Sequence, residues 1–348
     1  MKFPHAQITL VGLIATFLLS CGAQESSSGS GDSSLSVAIE ARLLSGFEQL
    51  PAHMNGAAGT PSEEQIALGK RLYFETKLSK DGTLSCNSCH GLDAFGVDNA
   101  QFSSGVGGQL GGRNSPSVMN AAGHLAQFWD GRAADVEEQA KGPILNPVEM
   151  AMGSAEQVVT LLKADSSYVA EFAAAFPNET DALTYDNLGL AIGAFERQLV
   201  TPSPWDAFLA GDETALTNGQ KEGFLAFTKA ACQTCHSGAY LGGHMYQKLG
   251  IVRPWPNQED LGRGAHTGNA AENMMFKVPS LRNIAKTGPY FHDGSVDSLA
   301  EAVQMMATHQ LGVQVTDAEV ASIVEFLGAL TGQVDAVLVA PPIASEVL

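Results

Sequence analysis

Apolar residues along this chain recur mainly at helical spacing. Ile66, Gly69, Leu72 and Tyr73 fall three or four residues apart and predict a helix with one buried face. The stretch ahead of them, Thr60-Pro61-Ser62-Glu63, fits a capping box with Pro61 at the first helical position. The same punctuation recurs at residues 217–220, ahead of Phe224 and Phe227, and at residues 316–319. After the latter, Val320, Ile323, Val324, Leu327 and Leu330 form a single helical stripe. A cap of this kind contributes roughly 1 kcal/mol. No long alternating run of β-branched and aromatic residues occurs, so the expected fold class is all-α.

The N-terminus departs from that pattern. Lys2 precedes an apolar run from Ile8 to Leu19, shorter than the about 20 residues needed to cross a bilayer but suited to a secretory signal. Leu18-Leu19-Ser20-Cys21 resembles a bacterial lipoprotein signal, which implies cleavage before Cys21 and lipid on its thiol; plain cleavage with a free Cys21 is the alternative. Gly22 follows where an inner-membrane lipoprotein often carries Asp, so the resemblance implies the periplasm with an outer-membrane anchor. Residues 22–36 are nearly all Ser, Gly and small polar residues, the composition of a flexible tether. The expected layout is a signal peptide (1–20), lipidated Cys and tether (21–40), an N-terminal domain (41–202), a C-terminal domain (203–335) and a tail (336–348). The boundary falls at Thr201-Pro202-Ser203-Pro204, where prolines break the preceding helix.

A length of 348 residues and 45% hydrophobic content suit two compact cores. The formal charge of −18 argues against a nucleic-acid partner, whose phosphates it would repel, and favours a neutral small molecule or a basic protein. The glycine-rich loop at residues 103–113 lacks the preceding strand and following helix that phosphate cradling needs.

Chemistry concentrates in two Cys-x-x-Cys-His motifs: Cys86, Cys89, His90 and Cys232, Cys235, His236. In such a motif both thiols add to haem vinyl groups and the adjacent His is held under the iron. Zinc binding and dithiol exchange also use paired cysteines. With Cys21 set aside, all four remaining cysteines belong to these motifs, and two covalent haem c groups account for them. A haem with a sixth ligand carries electrons, whereas one with an open face binds a small ligand. Spacing leaves that ligand undecided among Met119, Met150 and Met152 after the first motif and Met274, Met275, Met305 and Met306 after the second.

The surrounding residues add a family resemblance. Gly112-Arg113-Asn114-Ser115-Pro116-Ser117, Gln127-Phe128-Trp129-Asp130-Gly131-Arg132-Ala133, Glu138-Gln139-Ala140-Lys141-Gly142-Pro143 and Asn146-Pro147-Val148-Glu149-Met150 resemble the bacterial di-haem cytochrome c peroxidases. So do Phe276-Lys277-Val278-Pro279-Ser280-Leu281-Arg282-Asn283 and Gly288-Pro289-Tyr290-Phe291-His292-Asp293-Gly294. The resemblance runs from about Thr60 to Gly332 and implies two cytochrome c-like haem domains in tandem. It implies that the His90 haem is peroxidatic, with Gln139 and Glu149 on its open face, and that the His236 haem takes Met306, or the neighbouring Met305, as sixth ligand. Trp129 would relay electrons between the haems. Asn114, Thr287 and Pro289 would hold one calcium ion, the last two through backbone carbonyls. Hydrogen peroxide would be the substrate, a small cytochrome c or cupredoxin the electron donor, and a homodimer a common assembly. Where many relatives carry a His that caps the peroxidatic iron, this chain has Val106, which cannot ligate; an open first haem is therefore expected in the oxidised protein. His124 is the one other residue weighed for that capping role. The same family includes enzymes that oxidise a Trp on a partner protein, and a pure di-haem electron carrier is a third possibility. Met306 favours the peroxidase over the former, and Glu149 with Gln139 argues against the latter.

Overall fold

The computed structural model describes residues 37–56 and 59–342. The expected signal, the lipidated Cys21 and most of the tether lie outside them. Among the helices of the described residues, six position the sites: α1 (Glu63–Tyr73), α2 (Val136–Leu145), α3 (Tyr185–Glu196), α4 (Asn218–Lys229), α5 (Leu299–Met305) and α6 (Asp317–Gly328). Further helices, Ala155–Lys163 and Ser166–Ala175 among them, helical turns and ordered loops connect these. One element breaks the all-α expectation, an antiparallel pair of β1 (Tyr246–Lys248) and β2 (Met275–Lys277). Three-residue strands are too short for alternation to register in a sequence.

The two later capping boxes form as expected at Thr217 with Gln220 and Thr316 with Glu319. The first is displaced by two residues: Ser62, not Thr60, caps α1, accepting from the Gln65 amide at 3.2 Å while its own amide donates to Gln65 Oε1 at 3.0 Å. Pro61 therefore precedes the helix rather than opening it.

Two hydrophobic cores build up on either side of residues 201–204. One is drawn from Leu68 through Leu199 and the other from Phe47 and Trp205 through Leu330. Each is organised by a helix crossing, α1 on α3 in the first and α4 on α6 in the second. A glycine sits at each crossing: a Cβ on Gly69 would lie 1.8 Å from the Ala191 carbonyl oxygen, and one on Gly223 would lie 1.9 Å from that of Ser322. Glycine inside a helix costs roughly 1 kcal/mol, and here it lets two backbones touch. The ends of the described chain exchange lobes relative to the expected boundaries. Phe47 packs in the second core, while Val334, Leu338 and Val339 pack on the first.

Candidate functional site

The two cysteine motifs fold alike. Cys86–Cys89 forms one helical turn and Cys232–Thr234 a tighter one, and the His90 and His236 amides donate to the carbonyls of Cys86 and Cys232, each at 3.0 Å. His90 Nδ1 lies 3.3 Å from the Gly96 carbonyl and His236 Nδ1 lies 3.0 Å from that of Leu241. With Nδ1–H donated to a carbonyl, the imidazole is fixed in the tautomer whose Nε2 is free for iron. Burial lowers the pKa of both rings, His236 to about 4, which keeps the ligating neutral form. Burial also pushes the Cys86 and Cys232 thiols up to about 12. Zinc binding and disulfide exchange act through thiolates, so these buried thiols fit thioether attachment better. Among the described residues, no three His, Cys, Asp or Glu side chains gather as a metal-ion site.

Cys232, Cys235 and His236 open onto a mostly apolar cavity of about 250 Å³. Its broad apolar lining suits a flat apolar macrocycle. Met306 lines this cavity; Met305 does not, packing instead with Tyr290, Val296 and Ala302 as well as the Trp255 cluster. Met306 opens a π-helical turn, Met306–Leu311, a distortion found disproportionately at functional positions. Met119 also lines this cavity and, with Met150 and Met152, is buried in the first core; Met274 packs with Trp255 and Phe276.

Trp129 lines the same cavity and joins the two halves. Its Nε1 donates to the Asn114 carbonyl at 2.8 Å, and its own carbonyl accepts from the Lys277 amide of β2 at 2.8 Å. His292, 2% exposed, stacks on Phe276 and stands edge-on to Trp129, with neither ring nitrogen hydrogen-bonded. Orphaned polar atoms in a cavity wall fit a site meant to receive a group with acidic side arms. Asn114, Thr287 and Pro289 also line this cavity. The Asn114 amide nitrogen donates to the Ala100 carbonyl at 2.9 Å, and Asn99 Nδ2 reaches the carbonyls of Lys286 and Gly288 at 3.1 and 2.9 Å.

A second cavity, of about 230 Å³, is lined by Phe128, Arg132, Ala133, Glu138, Gly142, Pro143, Asn146 and Glu149. The half-buried Glu149 carboxylate accepts from Asn146 Nδ2 at 2.9 Å. Asn146 Oδ1 in turn accepts from the Val148 amide at 3.2 Å, an Asx turn that Asn-Pro sequences favour. Burial raises the Glu149 pKa, opposed by the Arg132 charge and the Asn146 bond. Val106 sits against this segment, its amide donating to the Glu149 carbonyl at 2.8 Å. The close packing requires Gly105, whose added Cβ would lie 2.0 Å from the Val148 oxygen.

Gln139 is half-buried on α2, yet that helix meets the cavity through Glu138, Gly142 and Pro143. His124 is not at this cavity; it lines the larger one, edge-on to Tyr240, with Nδ1 3.4 Å from Lys277 Nζ. Sequence reasoning assigned no role to Arg132 or Asn146, although both lie inside motifs that carried the resemblance.

A family profile described as di-haem cytochrome c peroxidase matches residues 63–214. The cytochrome c551 peroxidase of Pseudomonas aeruginosa is 44% identical over 294 residues, covering 82% of this chain and 84% of that protein. The cytochrome c551 peroxidase of Nitrosomonas europaea is 45% identical over 280 residues, covering 79% and 82%. Among solved structures, a MauG-like protein associated with microbial copper homeostasis superposes with a TM-score of 0.72 at 29% identity, covering 84% of this chain and 95% of that one. The paired haem-attachment motifs, the apolar cavity onto which the second opens and these similarities lead to one assignment: the chain belongs to the di-haem cytochrome c peroxidase family.

Proposed function

We propose that this protein reduces hydrogen peroxide to water with two electrons delivered one at a time by a small cytochrome c or cupredoxin. The observation that carries this reading is the Glu149 cavity, a concave site with a carboxylate held by Asn146 and faced by the Arg132 charge. Bound haem iron supplies the electron transfer and, on an open face, a place for a small ligand. Cys86, Cys89 and His90 would hold one haem; Cys232, Cys235, His236 and Met306 would hold the other and close it. The overall change adds two electrons and two protons to hydrogen peroxide and yields two waters.

Glu149 takes a proton from one peroxide oxygen and returns it to the other as the O–O bond breaks, work that suits a half-buried carboxylate of raised pKa. Gln139, from the helix that walls the cavity, is the amide that the family resemblance adds. Trp129, bridging Asn114 and Lys277, is the electron relay between the halves. Val106 leaves the first haem open in the oxidised state, so no prior reduction is needed. Asn114, Thr287 and Pro289 would hold calcium through hard oxygen donors, a reading supported by all three lining the larger cavity. Cys21 anchors the protein by lipid to the periplasmic side of the outer membrane.

Similarity to a MauG-like protein supports a second reading, oxidation of a side chain on a partner protein. Met306 in the wall of the His236 cavity favours the peroxidase. Peroxide consumption at steady state with a reduced cytochrome c donor tests the proposal, and Glu149→Gln should slow it by roughly 10²–10⁴-fold with both haems retained. Negligible turnover in the native protein would overturn it.

A further inference from the structure

We propose that Arg132 is a substrate-contacting group of the peroxide cavity, its guanidinium taking up the negative charge left on peroxide when Glu149 removes a proton. This inference rests on the cavity being the peroxide site. Arg132 lines that cavity together with Glu149, Asn146 and Phe128. The head group is pinned on one side. Its carbon lies 3.4 Å from the centre of the Phe128 ring, and Nη1 donates to both oxygens of Asp130 at 3.1 and 3.0 Å. Asp130 is itself buried and also bound by Arg113 at 2.6 Å, so it is a fixed anchor.

That arrangement spends only part of the donor set. A guanidinium has five N–H groups in a rigid fork, and among the described residues Nε and Nη2 of Arg132 have no hydrogen-bond partner. A cation held by stacking and one ion pair, with spare donors beside a carboxylate, is preorganised for a small anion. The charge already acts across the cavity, since it opposes the effect of burial on Glu149.

One peroxide O–H bond breaks as a Glu149 O–H bond forms, and the oxygen left negative is the charge that Arg132 meets. The same proton then passes to the other oxygen, which leaves as water as the O–O bond breaks; the oxygen left behind becomes the second water with two electrons from the donor protein and two protons from solvent. Arg132 lowers the cost of the first step by electrostatic stabilisation alone.

Fluoride tests this without turnover. Added to the fully loaded ferric protein, it binds at an open iron as a small anion and changes the absorption spectrum. Native protein should titrate with fluoride, Arg132→Gln should bind it at least roughly tenfold more weakly, and Arg132→Lys should recover part of the loss. Haem content and the spectrum of the His236 haem should be the same in all three. If native protein takes up no fluoride, the open cavity itself is refuted and the Arg132 role falls with it. If native protein binds fluoride and Arg132→Gln binds it equally, the role of Arg132 alone is refuted.

Discussion

Asn146→Ala isolates the support that Glu149 receives. Asn146 donates to the Glu149 carboxylate at 2.9 Å, and this bond favours the ionised form that accepts a proton. A hydrogen bond to a charged group contributes about 1.5–3 kcal/mol, and the half-buried setting places this one near the lower end. One pKa unit corresponds to about 1.4 kcal/mol, so removal should raise the Glu149 pKa by about one unit. The sign follows directly: a higher pKa protonates the base at higher pH, and the acid limb of kcat/KM for peroxide moves up by about one pH unit. At a pH below both limbs the variant should be about tenfold slower. The assay is steady-state peroxide reduction with a reduced cytochrome donor across pH, with haem spectra recorded beside it. Asn146→Asp separates donor from turn support: its carboxylate can still accept from the Val148 amide but repels Glu149, so its limb should move further. An unshifted acid limb in both variants would refute the proposed support.

Three further outcomes are expected. Met306→Ala should turn the His236 haem from low-spin to high-spin in the absorption spectrum, while Met305→Ala should leave it unchanged; the reverse would move the ligand by one residue. Gly223→Ala places a methyl 1.9 Å from the Ser322 oxygen and should cost about 1 kcal/mol net, the 1–3 kcal/mol of overpacking less the roughly 1 kcal/mol of helix propensity gained, read as a lower midpoint in guanidinium. Glu196, 4% exposed, has its carboxyl raised by burial from 4.5 to about 8, so the folded protein holds a proton that the unfolded chain releases. Stability should fall by about 4–5 kcal/mol as pH rises from 4.5 to 8, and Glu196→Gln should flatten that fall in thermal melts.

The sequence exposed most of the frame and part of the chemistry. Helical stripes capped at Thr217 and Thr316 were readable because the cap and its N3 partner are local in the chain. The box at Ser62 was misplaced because Thr60 and Ser62 offer the same chemistry two residues apart and only the packing of α1 decides between them. The motif histidines were readable from spacing, whereas their carbonyl partners Gly96 and Leu241 depend on how each loop turns back. Met305 and Met306 are indistinguishable in sequence; a π-helical turn puts only the second in the cavity wall. The β1–β2 pair joins residues about thirty apart through strands of three, too short to leave a pattern. Arg132 was hidden for another reason: a guanidinium gains its role from what pins it, and Asp130 and Phe128, two and four residues back, do so only through the local turn in which the Gly131 amide donates to the Phe128 carbonyl.

The central claim is that the two haem sites are unequal, the one on His90 open beside Glu149 and the one on His236 closed by Met306. Electron paramagnetic resonance of the fully oxidised protein tests it most directly. The account predicts one high-spin ferric signal and one low-spin signal in equal amounts, before any reductant is added. Two low-spin signals would contradict it, because some residue other than Val106 would then be capping the first haem.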